Sequence, residues 1–237
     1  MPDQNDAEKY ETPRPGKGDT LHALARAGIS SVPYVGGAGV ELFAALVTPP
    51  LERRRLEWME EVGEGLRSLE AETDLSLEDL QDNDAFIDAV MSASQAAIRT
   101  SQAEKREALR NAVLNAALPS APEESLQQFF VALVDEFTVW HLLILKLFQG
   151  PVQWAEEHNH DFPSMHTSSL SNTLESAFPK LKGRRSFYDQ VWSDLNRRGL
   201  VSTDSLHGMM TASGALSKRT SDIGDAFLHF IEKPESR

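Results

Sequence analysis

Residues 129–148 read FFVALVDEFTVWHLLILKLF and form the most apolar part of the chain. The stretch has the length of a membrane-spanning helix, but four of its side chains would be costly in lipid: Asp135, Glu136, His141 and Lys146. We therefore expect it to be the central core helix of a mainly α-helical protein. The pair Glu123-Glu124 suits the start of this helix, and Gly150-Pro151 ends it.

Helical periodicity continues on the N-terminal side of this stretch. Thr48-Pro49-Pro50 should break the preceding segment and begin a new helix, because proline is tolerated in a first turn. Ser101 and Glu104 form a possible capping box, which indicates a second break. Together the patterns predict helices over residues 51–72 and 76–81, from Asp84 to the second break, and over residues 103–117.

The pattern changes after a polar loop at residues 158–167. Helical spacing returns over residues 168–178 and 184–198, and a short apolar, strand-like pair follows. Glycines punctuate residues 206–216, which could return as a hairpin, and Thr220 or Ser221 can cap a last helix. Helix, helix, strand, turn, strand, helix is the order of a winged-helix-like unit.

The predicted fold class is therefore mainly α, with an N-terminal helical bundle and a small C-terminal winged-helix-like domain. A unit of this size is normal for a small domain. The chain divides, by this prediction, into a disordered arm at residues 1–18, a bundle at 19–157, a linker at 158–167 and the winged-helix-like domain at 168–232.

Composition limits the classes of function. The chain contains no Cys, so it forms neither a disulfide framework nor a thiolate metal site. Its first 18 residues are polar and lack the basic start and apolar stretch of a secretory signal, so we expect a cytoplasmic protein. The net charge of −13 opposes nonspecific binding of nucleic acid by the molecule as a whole.

The charge is unevenly distributed. Residues 180–219 contain eight basic and three acidic side chains, a local net charge of +5. If the helix over residues 184–198 is the second helix of a helix-turn-helix, it would enter the DNA major groove. The same patch could instead dock an acidic protein. The candidate residues for either partner are Lys182, Arg184, Arg185, Arg197 and Arg198, and the candidates for reading bases are Ser186, Gln190, Ser193 and Asn196.

Two parts of the chain resemble uncharacterised bacterial helical proteins grouped with the abortive-infection alpha family. One part is PYVGGAGVELF at residues 33–43 with PPLERRRLEW at residues 49–58, and the other is DLNRRGLVS at 194–202 with IGDAFLHFI at 223–231. The resemblance covers most of the chain from residue 28 onward and consists of apolar and glycine patterns. It implies a link to phage defence and assigns no catalytic residue.

The glycine-rich apolar segment at residues 32–47 is compatible with a membrane-acting toxin. It is shorter than the roughly 20 residues that a membrane span needs, and it contains Glu41. We therefore expect no membrane span and favour packing of this segment against another helix. Peripheral membrane contact stays open.

Two groups of residues are candidates for chemistry. Residues 156–166 hold three His and three carboxylates, the ligand types that a metal could use without Cys, but their spacing matches no metalloenzyme motif. His141 with Asp135 and Glu136 could form an acid–base set, although a satisfied buried pair or an interhelical contact is the favoured interpretation. We therefore expect no catalytic residue, no metal and no cofactor.

These observations predict a non-enzymatic interaction or regulatory protein with a protein partner. The resemblance implies that this protein acts in phage defence. A DNA-binding regulator that uses the basic patch is the first alternative. A membrane-acting toxin that uses residues 32–47 is the second.

Overall fold

The computed structural model describes residues 38–73, 75–163 and 166–234, and these residues are mainly helical. The mainly α fold expected from the sequence is therefore confirmed. The chain divides into two compact units, residues 1–50 and residues 51–237. The predicted arm at residues 1–18 lies outside the described residues.

Helix α1 runs from Ala38 to Glu72 and contains Pro49 and Pro50. The prediction that Thr48-Pro49-Pro50 breaks the preceding segment and begins a new helix is therefore wrong. Each proline removes one hydrogen bond to the carbonyl four residues before it. Those carbonyls belong to Ala45 and Leu46, which are exposed, so water can satisfy them.

The remaining elements follow one another with short connections. After α1 the described chain forms a 3₁₀ turn (Asp79–Asp82), α2 (Asp84–Arg99), α3 (Ala103–Ala116), α4 (Glu124–Glu136), α5 (Val139–Gln149) and α6 (Pro151–Glu157). The strand β1 (Thr167–Ser168) and helix α7 (Leu170–Ala177) come next. The chain then forms a 3₁₀ turn (Pro179–Leu181), α8 (Arg185–Arg197), β2 (Met210–Thr211), α9 (Ala212–Ala215) and α10 (Asp222–Ile231).

The apolar stretch at residues 129–148 forms two helices rather than the one expected. Phe137 separates α4 from α5 and is extended, with φ −72° and ψ 149°. The Thr138 N–H donates to Nδ1 of His141 at 3.2 Å, and this bond caps the start of α5. Because Phe137 is also buried, packing and capping together favour the break over a continuous helix.

The two strands pair across the C-terminal part of the chain. β1 and β2 are antiparallel, with Thr167 opposite Thr211, and Val201 forms an isolated bridge with Thr220. The hairpin predicted within residues 206–216 is therefore wrong. The Thr211 hydroxyl accepts from the Gly214 N–H at 3.1 Å, so the chain enters α9 after β2 instead of returning as a strand.

Among the described residues of the second unit, one hydrophobic core includes buried side chains from Trp58 to Ile231. The rings of Phe148 in α5 and Trp192 in α8 meet edge to face, with centroids 5.0 Å apart. The compact unit therefore continues across residues 158–167, where the sequence predicted a linker between two domains. The reason is that helices on both sides of this loop bury their apolar faces against each other.

The last helix is held at its C-terminal end by two buried asparagines of α3. Asn111 Nδ2 donates to the carbonyl of Ile231 at 3.0 Å. Asn115 Nδ2 donates to the carbonyls of Phe230 at 2.9 Å and Glu232 at 2.8 Å. The final carbonyls of a helix lack intrahelical partners, so these side chains act as a cap supplied by another helix.

Candidate functional site

Helix α8 presents a core-facing side and a side that faces solvent. Its buried residues are Tyr188, Val191, Trp192 and Leu195. The opposite side, which we call the α8 outer face, consists of exposed residues spaced at four, three and four positions: Ser186, Gln190, Ser193 and Arg197. This spacing places the four outer-face side chains along one line of the helix.

The N-terminal end of α8 is basic. Gly183 has φ +76°, a backbone conformation that favours glycine, and it turns the chain from the 3₁₀ turn into the helix. We define the basic end as four exposed cations within six residues: Lys180, Lys182, Arg184 and Arg185. The free N–H groups of the first helical turn add positive potential at the same place.

The cations of the basic end differ in their partners. The Arg184 guanidinium lies over the Phe187 ring, 4.5 Å from its centroid. Arg185 pairs with Asp189 one turn later, at 3.4 Å. Lys180 and Lys182 make no ion pair with any described residue.

The other two predicted cations lie at the opposite end of α8. Arg197 pairs with Asp194, and Arg198 pairs with Glu136 at the end of α4. A helix of 13 residues is about 20 Å long, so the structure does not bring the five predicted binding residues into one cluster. Lys182, Arg184 and Arg185 lie together, whereas Arg197 and Arg198 form a second, paired group.

One of the four candidate base-reading residues is used inside the protein. Asn196 Nδ2 donates to the carbonyls of Val201 at 3.3 Å and Thr203 at 3.1 Å. It holds the chain that leaves α8 and is not available to a partner. The other three candidates belong to the α8 outer face, where Gln190 Nε2 donates to Oδ1 of Asp194 at 2.9 Å.

Two carboxylates of α8 each contact a histidine from another element. Nε2 of His207 lies 2.7 Å from Oδ1 of Asp189, near the basic end. Nε2 of His141 in α5 lies 3.6 Å from Oδ2 of Asp194. The two residues of each pair lie far apart in the sequence, so no local pattern indicates either contact, and sequence reasoning missed both.

The predicted set of His141, Asp135 and Glu136 does not assemble. Asp135 pairs with Arg99, and Glu136 pairs with Arg198. His141 instead makes the interhelical contact with Asp194, which was the favoured interpretation of this residue.

Burial controls the titration of the His141–Asp194 pair. Burial lowers the pKa of His141 and outweighs the contact with Asp194, which acts to raise it. Burial alone would raise the pKa of Asp194, but hydrogen bonds from Arg197 and Gln190 outweigh it and hold that pKa below its ordinary value. Both shifts therefore favour a neutral imidazole beside a charged carboxylate.

Two of the three histidines in residues 156–166 contact other protein atoms through their side chains. His158 stacks on Trp154, and its Nδ1 lies 2.8 Å from the Trp154 carbonyl. Nε2 of His160 lies 3.1 Å from the Ser176 hydroxyl. No group of His, Asp and Glu within the described ranges is placed to hold a metal ion.

The apolar segment at residues 32–47 is described only from residue 38, where α1 begins; residues 32–37 lie outside the described residues. Leu42, Phe43 and Leu46 are 63%, 67% and 66% exposed. The packing expected for these three side chains is therefore absent from this part of α1. None of the described helices has the length and apolar character needed to cross a membrane.

A small cleft lies beside β1 and is lined by residues that include Phe162, Thr173 and Ala215. Its volume is about 30 Å³, which is room for about one water. Small-molecule sites have volumes of about 300–1,000 Å³. The cleft therefore offers no basis for a small-molecule function.

The basic end and outer face of α8 thus form the candidate functional site. Compared with known proteins, the chain matches no family model, no curated protein and no solved structure.

Proposed function

We propose that this protein is a non-enzymatic interaction protein that binds an anionic protein partner through the basic end of α8. The observation that carries the proposal is the set of four exposed cations at residues 180–185, of which Arg185 alone is paired with a described carboxylate. Cations without a fixed carboxylate partner are available to an external anion. The resemblance to the abortive-infection alpha family supports a role in phage defence.

The surroundings of the basic end suit a binding surface. The α8 outer face continues from it with hydroxyl and amide groups, which can donate and accept hydrogen bonds. Helix α8 itself is anchored by its buried residue Trp192, whose Nε1 donates to the Thr203 carbonyl at 2.9 Å. A rigid helix lowers the entropy cost of binding.

Fluorescence anisotropy with labelled poly-L-glutamate tests the proposal. The double variant Lys182→Glu, Arg184→Glu should bind about tenfold more weakly than the wild type, because it reverses two cations at the binding surface. The matched control is Arg67→Glu, Lys233→Glu, which changes the net charge equally at two other exposed residues. Equal weakening in both variants, or no binding by the wild type at low salt, would overturn the proposal.

A DNA-binding regulator is the second candidate, and the arrangement of α7, the 3₁₀ turn and α8 favours it. Two helices joined by a short turn, with the second exposing Ser186, Gln190 and Ser193, suit a winged-helix-like reader of the major groove. We infer that such a reader would enrich particular duplexes from a random-sequence library. Its affinity should also fall steeply with salt, and Gln190→Ala should lower the preference among sequences.

A membrane-acting protein is the third candidate, favoured by exposed Leu42, Phe43 and Leu46. An apolar helix face can insert into the headgroup region without spanning the bilayer. Leakage of dye from liposomes tests this candidate. Phe43→Ser should abolish leakage, whereas Ile87→Ser, which removes another exposed apolar side chain, should leave it unchanged.

A further inference from the structure

Asp189 of α8 is shared between two cationic or titratable side chains. Its Oδ2 lies 3.4 Å from Nε of Arg185, a member of the basic end. Its Oδ1 lies 2.7 Å from Nε2 of His207, which comes from the segment between α8 and β2. The charge on His207 therefore bears directly on the carboxylate that restrains Arg185.

The groups around His207 come from two helices. On α8, Asp189 contacts it, and the Tyr188 ring centroid is 6.1 Å from that of His207. Arg185 reaches this environment through Asp189, with which it pairs at 3.4 Å. From α7, Glu175 reaches this environment by accepting a hydrogen bond from the Tyr188 hydroxyl at 2.9 Å. Burial and this hydrogen bond raise the pKa of Tyr188 to about 12, so the phenol stays neutral.

We propose that protonation of His207 strengthens the binding of anions at the basic end of α8, an inference that rests on the proposed function. With neutral His207, the four cations of the basic end face two carboxylates, Asp189 and Glu175, for a local net charge of +2. Protonation raises this charge to +3. The new ion pair with Asp189 also releases Arg185, whose side chain is 67% exposed, for contact with the partner.

Histidine is the side chain that changes charge between about pH 5 and pH 8, so the contact acts as a pH-dependent control. The direction follows from charge: acidification adds positive charge where an anion binds. The contact with Asp189 stays intact in both states, because a neutral imidazole can donate through Nε2 and a charged one donates more strongly.

The test measures binding of the full chain to rhodamine-labelled dextran sulfate at constant ionic strength, from about pH 8 to about pH 5.5. Sulfate groups keep their charge over this range, so changes in affinity report on the protein. The wild type should bind about threefold more tightly at the acidic end than His207→Gln does, with both equal at the alkaline end. Asp189→Asn should bind at the alkaline end as tightly as the wild type does at the acidic end.

His229→Gln is the matched control, because it removes an exposed histidine from α10 and leaves His207 in place. It should keep the pH dependence of the wild type. Urea unfolding checks that each variant is folded at both pH values. If His207→Gln and the wild type bind with the same pH dependence, the inference is overturned and the proposed function stands. If none of the proteins binds at low salt, the proposed function fails and the inference fails with it.

Discussion

The two ends of α8 carry the same three residue types in different surroundings. At the N-terminal end Asp189 contacts Arg185 and His207, and at the C-terminal end Asp194 contacts Arg197 and His141. The His207 side chain is 27% exposed, whereas that of His141 is 8% exposed. The two contacts therefore differ in burial rather than in the identity of the partners, and we assign a function only to the more exposed one, in our proposal.

The physical basis of this difference is desolvation. Burial disfavours a charged imidazole and lowers the pKa of His141, which contacts Asp194 between α5 and α8. Its ring stacks on Phe137 with centroids 4.5 Å apart. His207 contacts Asp189 in a more exposed position, and in our proposal its charge acts on the neighbouring cations through that carboxylate.

Removing each histidine in turn should give the largest difference in the free energy of unfolding between the two ends of α8. His141→Ala should lower the free energy of unfolding by about 2–3 kcal/mol, because it leaves a cavity and removes the partner of the Thr138 N–H. His207→Ala should change it by less than about 0.5 kcal/mol. Urea unfolding of both variants measures the difference, and equal losses would show that the two ends are equally structural.

Charge reversal at each end should give the next largest difference. Lys182→Glu, Arg184→Glu should weaken binding to polyglutamate about tenfold, which corresponds to about 1.4 kcal/mol. Arg197→Glu, Arg198→Glu should weaken it about twofold, because both arginines are already paired with carboxylates. Anisotropy titrations of the two variants measure this, and a larger effect at the C-terminal end would move the binding site there.

The pH dependence of stability should be a smaller effect that belongs to the C-terminal end. The folded-state pKa of His141 lies below its unfolded value, so the unfolded chain binds the proton more readily. This contribution to stability is complete above about pH 6.5 and is lost as pH falls from there through the folded-state pKa. The urea midpoint of the wild type should therefore decrease between about pH 7.5 and about pH 5.5.

The matched variant for this measurement is His141→Gln, which removes the titrating ring and keeps a polar side chain. It should show a smaller decrease over the same pH range. A decrease equal to that of the wild type would assign the effect to other histidines.

The smallest effect should come from the α8 outer face. Gln190→Ala and Ser193→Ala each truncate an exposed side chain and should change the free energy of unfolding by less than about 0.5 kcal/mol. Thermal unfolding followed by circular dichroism measures this. A loss above about 1 kcal/mol would show that the outer face packs against something and is not a free surface.

Much of the helical framework could be predicted from local patterns. The helices over residues 168–178 and 184–198 are present as α7 and α8, and Ser221 caps α10 as one of the two expected residues. Gly199, with φ +72°, ends α8 as glycine commonly does. Such features depend on neighbours a few residues apart, so the sequence contains the information needed to find them.

The errors occur where packing, capping or a remote partner outweighs the pattern of apolar residues. Continuous apolar character favoured one helix over residues 129–148, but buried Phe137 and the Thr138–His141 cap divide it. The glycines that punctuate residues 206–216 favoured a hairpin, but Met210 and Thr211 pair with β1. A local pattern cannot show which remote segment offers the better partner.

The candidate site also combines features that local patterns predict with features that only tertiary contacts determine. The sequence by itself determined that residues 180–198 are basic, helical and polar on one side, since composition and the 3.6-residue period need no tertiary contact. The tertiary structure alone decided that Arg198 pairs with Glu136, and that Asp189 and Asp194 meet His207 and His141. The physical reason is that burial and partner choice depend on residues 18 or more positions away, which only the folded chain brings together.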